Sequence, residues 1–79
     1  MQKGEKATGT GRVKFFKAGK GWGGIEDPSL PGDVWFHVMA IDMPGYRELS
    51  EGQRVELTYE RADQDSWRYR AISVKPLGQ

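Results

Sequence analysis

Rings, cations and glycines recur in this chain at a spacing suited to holding flat π-systems beside negative charge. Lys20-Gly21-Trp22-Gly23-Gly24-Ile25 is followed nine residues later by Val34-Trp35-Phe36-His37-Val38, and the doublet Phe15-Phe16 precedes both. Successive side chains of an extended chain face opposite sides, so Lys20, Trp22 and Gly24 share one side while Gly21, Gly23 and Ile25 share the other. In the second run Trp35 and His37 fall opposite Val34, Phe36 and Val38. Apolar Ile25, Val34 and Phe36 form the natural inward set, and Trp22, Trp35, His37 and Lys20 are expected to point outward. A sheet face of this kind suits single-stranded nucleic acid, whose bases stack on rings while its phosphates meet cations.

Other chemistries find little support. With one histidine and no cysteine there is no Cys-His pair and no cysteine-rich metal site. No serine has a recognisable nucleophile setting, and the glycines around Trp22 lack the phosphate-loop spacing. No catalytic residue, metal ligand or cofactor is therefore expected. Scattered acids leave a metal-dependent nuclease formally open, and a cleavage assay would decide it.

The formal net charge of +1 conceals a division along the chain. Residues 1–21 carry six bases against one acid, +5; residues 26–65 carry three against ten, −7; Arg68, Arg70 and Lys75 add +3. The two basic segments can attract a polyanion if the fold brings them together, and the acidic middle must face elsewhere.

These side chains need strands to present them. Residues 12–17, 22–26, 34–38, 54–61 and 67–74 read as strands; the fourth alternates Val55, Leu57 and Tyr59 with Glu56, Thr58 and Glu60. Ala18-Gly19-Lys20-Gly21 signals a tight hairpin, and residues 27–33, with two prolines and a glycine, a longer loop. Residues 40–51 form a long connection interrupted by Pro44-Gly45, with one helical turn near Met39 to Ile41. Residues 1–10 are polar and glycine-rich and read as a flexible leader, residues 11–75 as the single domain, and 76–79 as a tail. Five short strands in 79 residues suggest an all-β, five-stranded antiparallel Greek-key barrel of the oligonucleotide-binding type, since closure removes edges that so small a structure cannot cover. An SH3-like barrel is the structural rival.

Four separated motifs resemble the cold-shock domain family: Gly11-Arg12-Val13-Lys14-Phe15-Phe16, Lys20-Gly21-Trp22-Gly23-Gly24-Ile25, Asp33-Val34-Trp35-Phe36-His37-Val38-Met39-Ala40-Ile41 and Leu49-Ser50-Glu51-Gly52-Gln53-Arg54-Val55. The resemblance runs from about Gly11 to Val74. It implies a five-stranded oligonucleotide-binding barrel that binds single-stranded DNA or RNA, as an RNA chaperone or a regulator of transcription or translation. Residue by residue, it implies stacking roles for Phe15, Phe16, Trp22, Trp35, His37 and Tyr46, basic contacts at Lys14 and Lys20, and a base-edge acceptor at Asp33.

Two positions depart from the family pattern. Gly24 and Val38 stand where further rings are usual, and each stacked base is worth about 1–3 kcal/mol. Trp35 and Trp67 offer compensating ring area. Phe15 and Phe16 are adjacent, so one must pack inward unless a bulge turns it. Tyr46 can alternatively cap the barrel, and Asp33 can serve its turn. The expected protein is a cytoplasmic monomer, without membrane attachment or enzymatic activity, that binds single-stranded RNA or DNA; a protein-interaction barrel with weakened nucleic-acid binding is the alternative.

Overall fold

A closed ring with an odd number of strands cannot alternate direction all the way round, so one ladder must be parallel. The computed structural model describes residues 5–64 and 66–77. Strands β1 (Lys6–Lys17), β2 (Trp22–Glu26), β3 (Val34–His37), β4 (Arg54–Gln64) and β5 (Trp67–Pro76) close into a barrel in the order β1-β2-β3-β5-β4. The five-stranded barrel expected from the sequence is formed. Four ladders are antiparallel, and the closing one, β3 with β5, is parallel through Val34↔Tyr69 and Trp35↔Arg70. A single 3₁₀ turn, Val38–Ala40, follows β3, one residue earlier than the sequence suggested.

The interior follows the parity of the strands. Ile25, Val34 and Phe36 are fully buried, joined by Val13 and Ile41, by Val55, Leu57 and Tyr59 of β4, and by Ala71 and Val74 of β5. Each of the larger aliphatic or aromatic members contributes roughly 1.5–3 kcal/mol when withdrawn from water. Gly23 lies at the tightest point, where a Cβ would stand 2.4 Å from the Phe15 carbonyl oxygen and 2.8 Å from the Phe36 ring. Only a residue without a side chain fits there.

The chain ends depart from expectation. β1 begins at Lys6 and pairs with β4 from Lys6↔Glu60 to Arg12↔Arg54, so residues 6–10 are ladder and not leader. Their polar look has a physical cause: Thr8 and Thr10 are exposed, while Ala7, Gly9 and Gly11 alternate on the other side, which is half-buried or buried. The first four residues of the expected leader lie outside the described residues. At the other end Pro76 pairs with Val55, and the Leu77 N–H donates to the Arg54 carbonyl at 3.0 Å, so the expected tail begins inside the sheet; residues 78–79 lie outside the described residues. Among the described residues no helix is long and apolar enough to cross a membrane.

Candidate nucleic-acid interface

Register places the outward rings in two cross-strand rows. Phe15 of β1 opposes Gly24 of β2, which opposes Trp35 of β3; one step along, Lys17 opposes Trp22, which opposes His37. Residues opposite one another share a face of the sheet. Sequence parity alone would have set Phe15 and Lys17 against an unbroken ladder. Instead the β1–β2 register shifts between Val13 and Phe15, leaving Lys14 as the extra residue.

The shift resolves the phenylalanine doublet. Phe15 faces outward, whereas Phe16 pairs with Gly23, stacks on buried Phe36 with ring centroids 5.8 Å apart at 17°, and packs against the core. Phe16 was expected on the binding face; the structure places it on the other side of the sheet, as inner-row packing for Phe36.

Phe15, Trp22 and Trp67 form a triangle of rings. Centroids of Phe15 and Trp22 are 5.6 Å apart and nearly perpendicular; Trp67 is 6.3 Å from each. All three are half-buried, so each keeps a surface open to solvent. Edge-to-face packing of this kind fixes the rings beyond the effect of simple burial. The Lys17 ammonium lies over both faces, 5.1 Å from the Trp22 centroid and 5.8 Å from that of Phe15. Trp35 and His37 make a second ring pair at 6.2 Å.

Gly24 shares this outward face but is buried, because the rings of Phe15 and Trp67 cover it. Val38 is no gap in the platform either. β3 ends at His37, and Val38 opens the 3₁₀ turn, donates its N–H to Gly21 at 2.8 Å and packs against the core.

His37 is exposed and has a defined tautomer. Its Nδ1 accepts the Met39 N–H at 3.1 Å, so the neutral ring carries its proton on Nε2, free to donate to a ligand oxygen. Tyr46 is 77% exposed on the long connection and makes no ring contact with the cluster among the described residues.

The cations divide into paired and unpaired. Lys14 Nζ donates to Asp33 Oδ2 at 2.9 Å, and this hydrogen bond, reinforced by the carboxylate charge, holds the Lys14 ammonium above the usual lysine range. Two expected site residues thus neutralise each other. Arg70 donates to Glu60. Lys20, in the β1–β2 turn, and Lys17 are exposed, with no carboxylate paired to either among the described residues. The sequence pattern left Lys17 outside the site and offered Trp67 only as compensating ring area. Lys17 was hidden by the bulge, which changes its parity, and Trp67 comes from a distant strand. No group of three or more His, Asp or Glu side chains placed to hold a metal occurs among the described residues.

Comparison with known proteins points one way. The family model described as "'Cold-shock' DNA-binding domain" matches residues 9–77. Cold shock-like protein CspD of Vibrio cholerae is 38% identical over 68 residues, covering 86% of both chains. Cold shock-like protein CspA of Stigmatella aurantiaca is 46% identical over 52 residues, 66% of this chain and 76% of its own length. Among solved structures, "drosophila Unr CSD456" superposes with a TM-score of 0.70 at 25% identity, covering 91% of this chain but only 27% of that longer one.

Proposed function

The chain belongs to the cold-shock domain family, a nucleic-acid-binding domain, and from that premise we propose that it holds single-stranded RNA or DNA by base stacking and acts as an RNA chaperone or a regulator of transcription or translation. One observation carries the reading: Phe15, Trp22, Trp35 and His37 share one outward face, with Lys17 across two of their rings. Bases stack on these rings, and phosphates meet Lys17 and Lys20. His37 donates its Nε2–H to a base or phosphate oxygen, and Tyr46 adds a ring from the long connection.

The action is passive. A strand bound in its unpaired form is withdrawn from duplexes and hairpins by mass action, with no bond made or broken. We take the monomer as the working unit, and a cysteine-free sequence fits a reducing cytoplasm. A barrel devoted to protein partners is not favoured, because the rings and unpaired lysines share a face suited to bases and phosphates. Titration with a single strand and with the duplex of the same sequence tests the reading: the single strand is expected to bind more tightly, and equal affinity would overturn it.

A further inference from the structure

β1 has an edge that its neighbours leave open. Lys6 to Arg12 pair with β4, and β2 joins β1 only from Arg12 onward, so residues 6–10 are paired on one side alone. Among the described residues they make no backbone hydrogen bond outside the β4 ladder. Protein edges are commonly blocked by charge, proline, a bulge or a covering element. Ala7, Thr8, Gly9 and Thr10 carry neither charge nor proline, and their register with β4 is unbroken. Such an edge is a template for another extended main chain.

Two features beside the edge say what that chain would carry. Arg12 and Arg54 face one another across β1 and β4, both exposed and neither paired to a carboxylate among the described residues. Like charges directly opposite cost stability. They border a groove of about 370 Å³ lined by Thr10, Gly11, Arg12, Glu26, Pro28 and Arg54, where two cations against one anion leave a charge that a single carboxylate balances. On the inner side lies Asp27, only 5% exposed. Its Oδ1 takes the Ser29 N–H and hydroxyl at 2.9 and 2.8 Å, while Oδ2 has no donor among the described residues and lies 2.6 Å from the point a Cβ on Gly9 would occupy.

We propose that the open edge of β1 is a docking site for an extended acidic segment of a protein partner, which adds as an antiparallel strand along residues 6–10. Side chains opposite one another share a face of the sheet. A partner residue opposite Thr10 therefore lies outward, beside Arg12 and Arg54, and an aspartate or glutamate there meets guanidiniums whose planar forks suit a carboxylate. The next partner residue, opposite Gly9, points inward, and a serine or threonine hydroxyl there donates to Asp27 Oδ2. A nucleic-acid strand has no row of N–H and C=O groups to match the edge, so a peptide is the fitting occupant. The surface is separate from the ring platform, which lies across β1, β2 and β3 beyond the Lys14 bulge, and the inference does not depend on strand binding.

The test titrates the chain with a fluorescein-labelled peptide, Val-Glu-Thr-Val-Thr-Ser, and with the same peptide carrying Gln in place of Glu. Anisotropy gives the affinity, and amide hydrogen exchange followed by nuclear magnetic resonance gives the place of docking. The parent is expected to bind the acidic peptide, with slower exchange confined to the open edge at residues 6–10. Arg54→Gln is the matching variant, because the Arg54 side chain makes no ion pair among the described residues, and its fold is checked by circular dichroism. That variant and the Gln peptide should each weaken binding by about 2- to 5-fold, the worth of an exposed ion pair. Combined, they should weaken it little more than either alone, since both remove one contact. A peptide that does not bind, or that binds without protecting those amides, overturns the proposal. So does an Arg54→Gln protein that keeps the parental affinity for peptide and loses affinity for a single strand, which would assign the arginines to nucleic acid.

Discussion

Trp67 of β5 stands over Gly24 of β2, its Cη2 3.1 Å from the point a Cβ on Gly24 would occupy; Phe15 Cε1 lies 2.8 Å from the same point. Position 24 is one where the resemblance to the cold-shock family implies a ring. Here the missing side chain leaves a hollow, and rings from two other strands close over it. The face keeps aromatic area by drawing on β5 instead of β2.

Restoring the family ring should therefore harm and not help. Gly24→Phe has to displace Phe15 and Trp67, and overpacking of this kind costs about 1–3 kcal/mol. The expected outcome is a lower denaturation midpoint with no gain in single-strand affinity. A Gly24→Phe protein as stable as the parent and tighter in binding would mean that both rings swing aside freely.

Electrostatic predictions turn on which lysines are unpaired. Each phosphate contact adds about −0.7 to the slope of log affinity against log salt for single strands. Lys17→Gln should make that slope shallower by about one contact, and Lys14→Gln should change it little because Asp33 already neutralises Lys14. Asp33→Asn releases Lys14 and should steepen the slope. Equal effects from Lys17→Gln and Lys14→Gln would show that a bound strand breaks the Lys14–Asp33 pair.

Alkaline pH should destabilise the barrel through Tyr59. Burial first, then the charge of Asp27 and the neighbouring Tyr69, pushes its phenol up, and Lys14 is raised by Asp33. In both cases the folded state holds the proton more firmly than the unfolded chain. Stability is thus complete below the unfolded pKa and is lost as pH rises through the folded one, from about pH 10 upward. Denaturation midpoints should be level through neutral pH and fall above about pH 10; Tyr59→Phe should flatten the fall, and exposed Lys14→Gln should alter it little. A decline unchanged in Tyr59→Phe would contradict the assignment.

The His37 tautomer is open to direct observation. Nδ1 accepts the Met39 N–H that opens the 3₁₀ turn, so nitrogen chemical shifts of the neutral ring should report the proton on Nε2. A neutral ring protonated on Nδ1 would remove the donor assigned to the ligand.

What the sequence revealed and what it hid have distinct physical origins. Period-two parity depends only on neighbours along one strand, and it placed Ile25, Val34 and Phe36 inside and Trp22, Trp35 and His37 outside. Phe16 escaped it, because a bulge at Lys14 resets the parity and almost any residue can occupy a bulge. The start of β1 escaped too. Gly9 and Gly11 carry no hydrophobic signal, yet a Cβ at either would lie 2.6 Å from Asp27 Oδ2 or the Glu26 carbonyl oxygen, so they are inner-side residues chosen for close approach. Trp67 meets Gly24 across a long stretch of chain, and no local pattern reports such a contact. The parallel β3–β5 ladder was implicit in five strands and closure, since an odd ring cannot alternate.

The most direct measurement of the central claim is the single-strand affinity of Trp22→Ala and Trp35→Ala, taken beside their unfolding transitions. The outward platform predicts a loss of about 1–3 kcal/mol in binding for each, with cooperative unfolding preserved. Both variants binding with the affinity of the parent would contradict it.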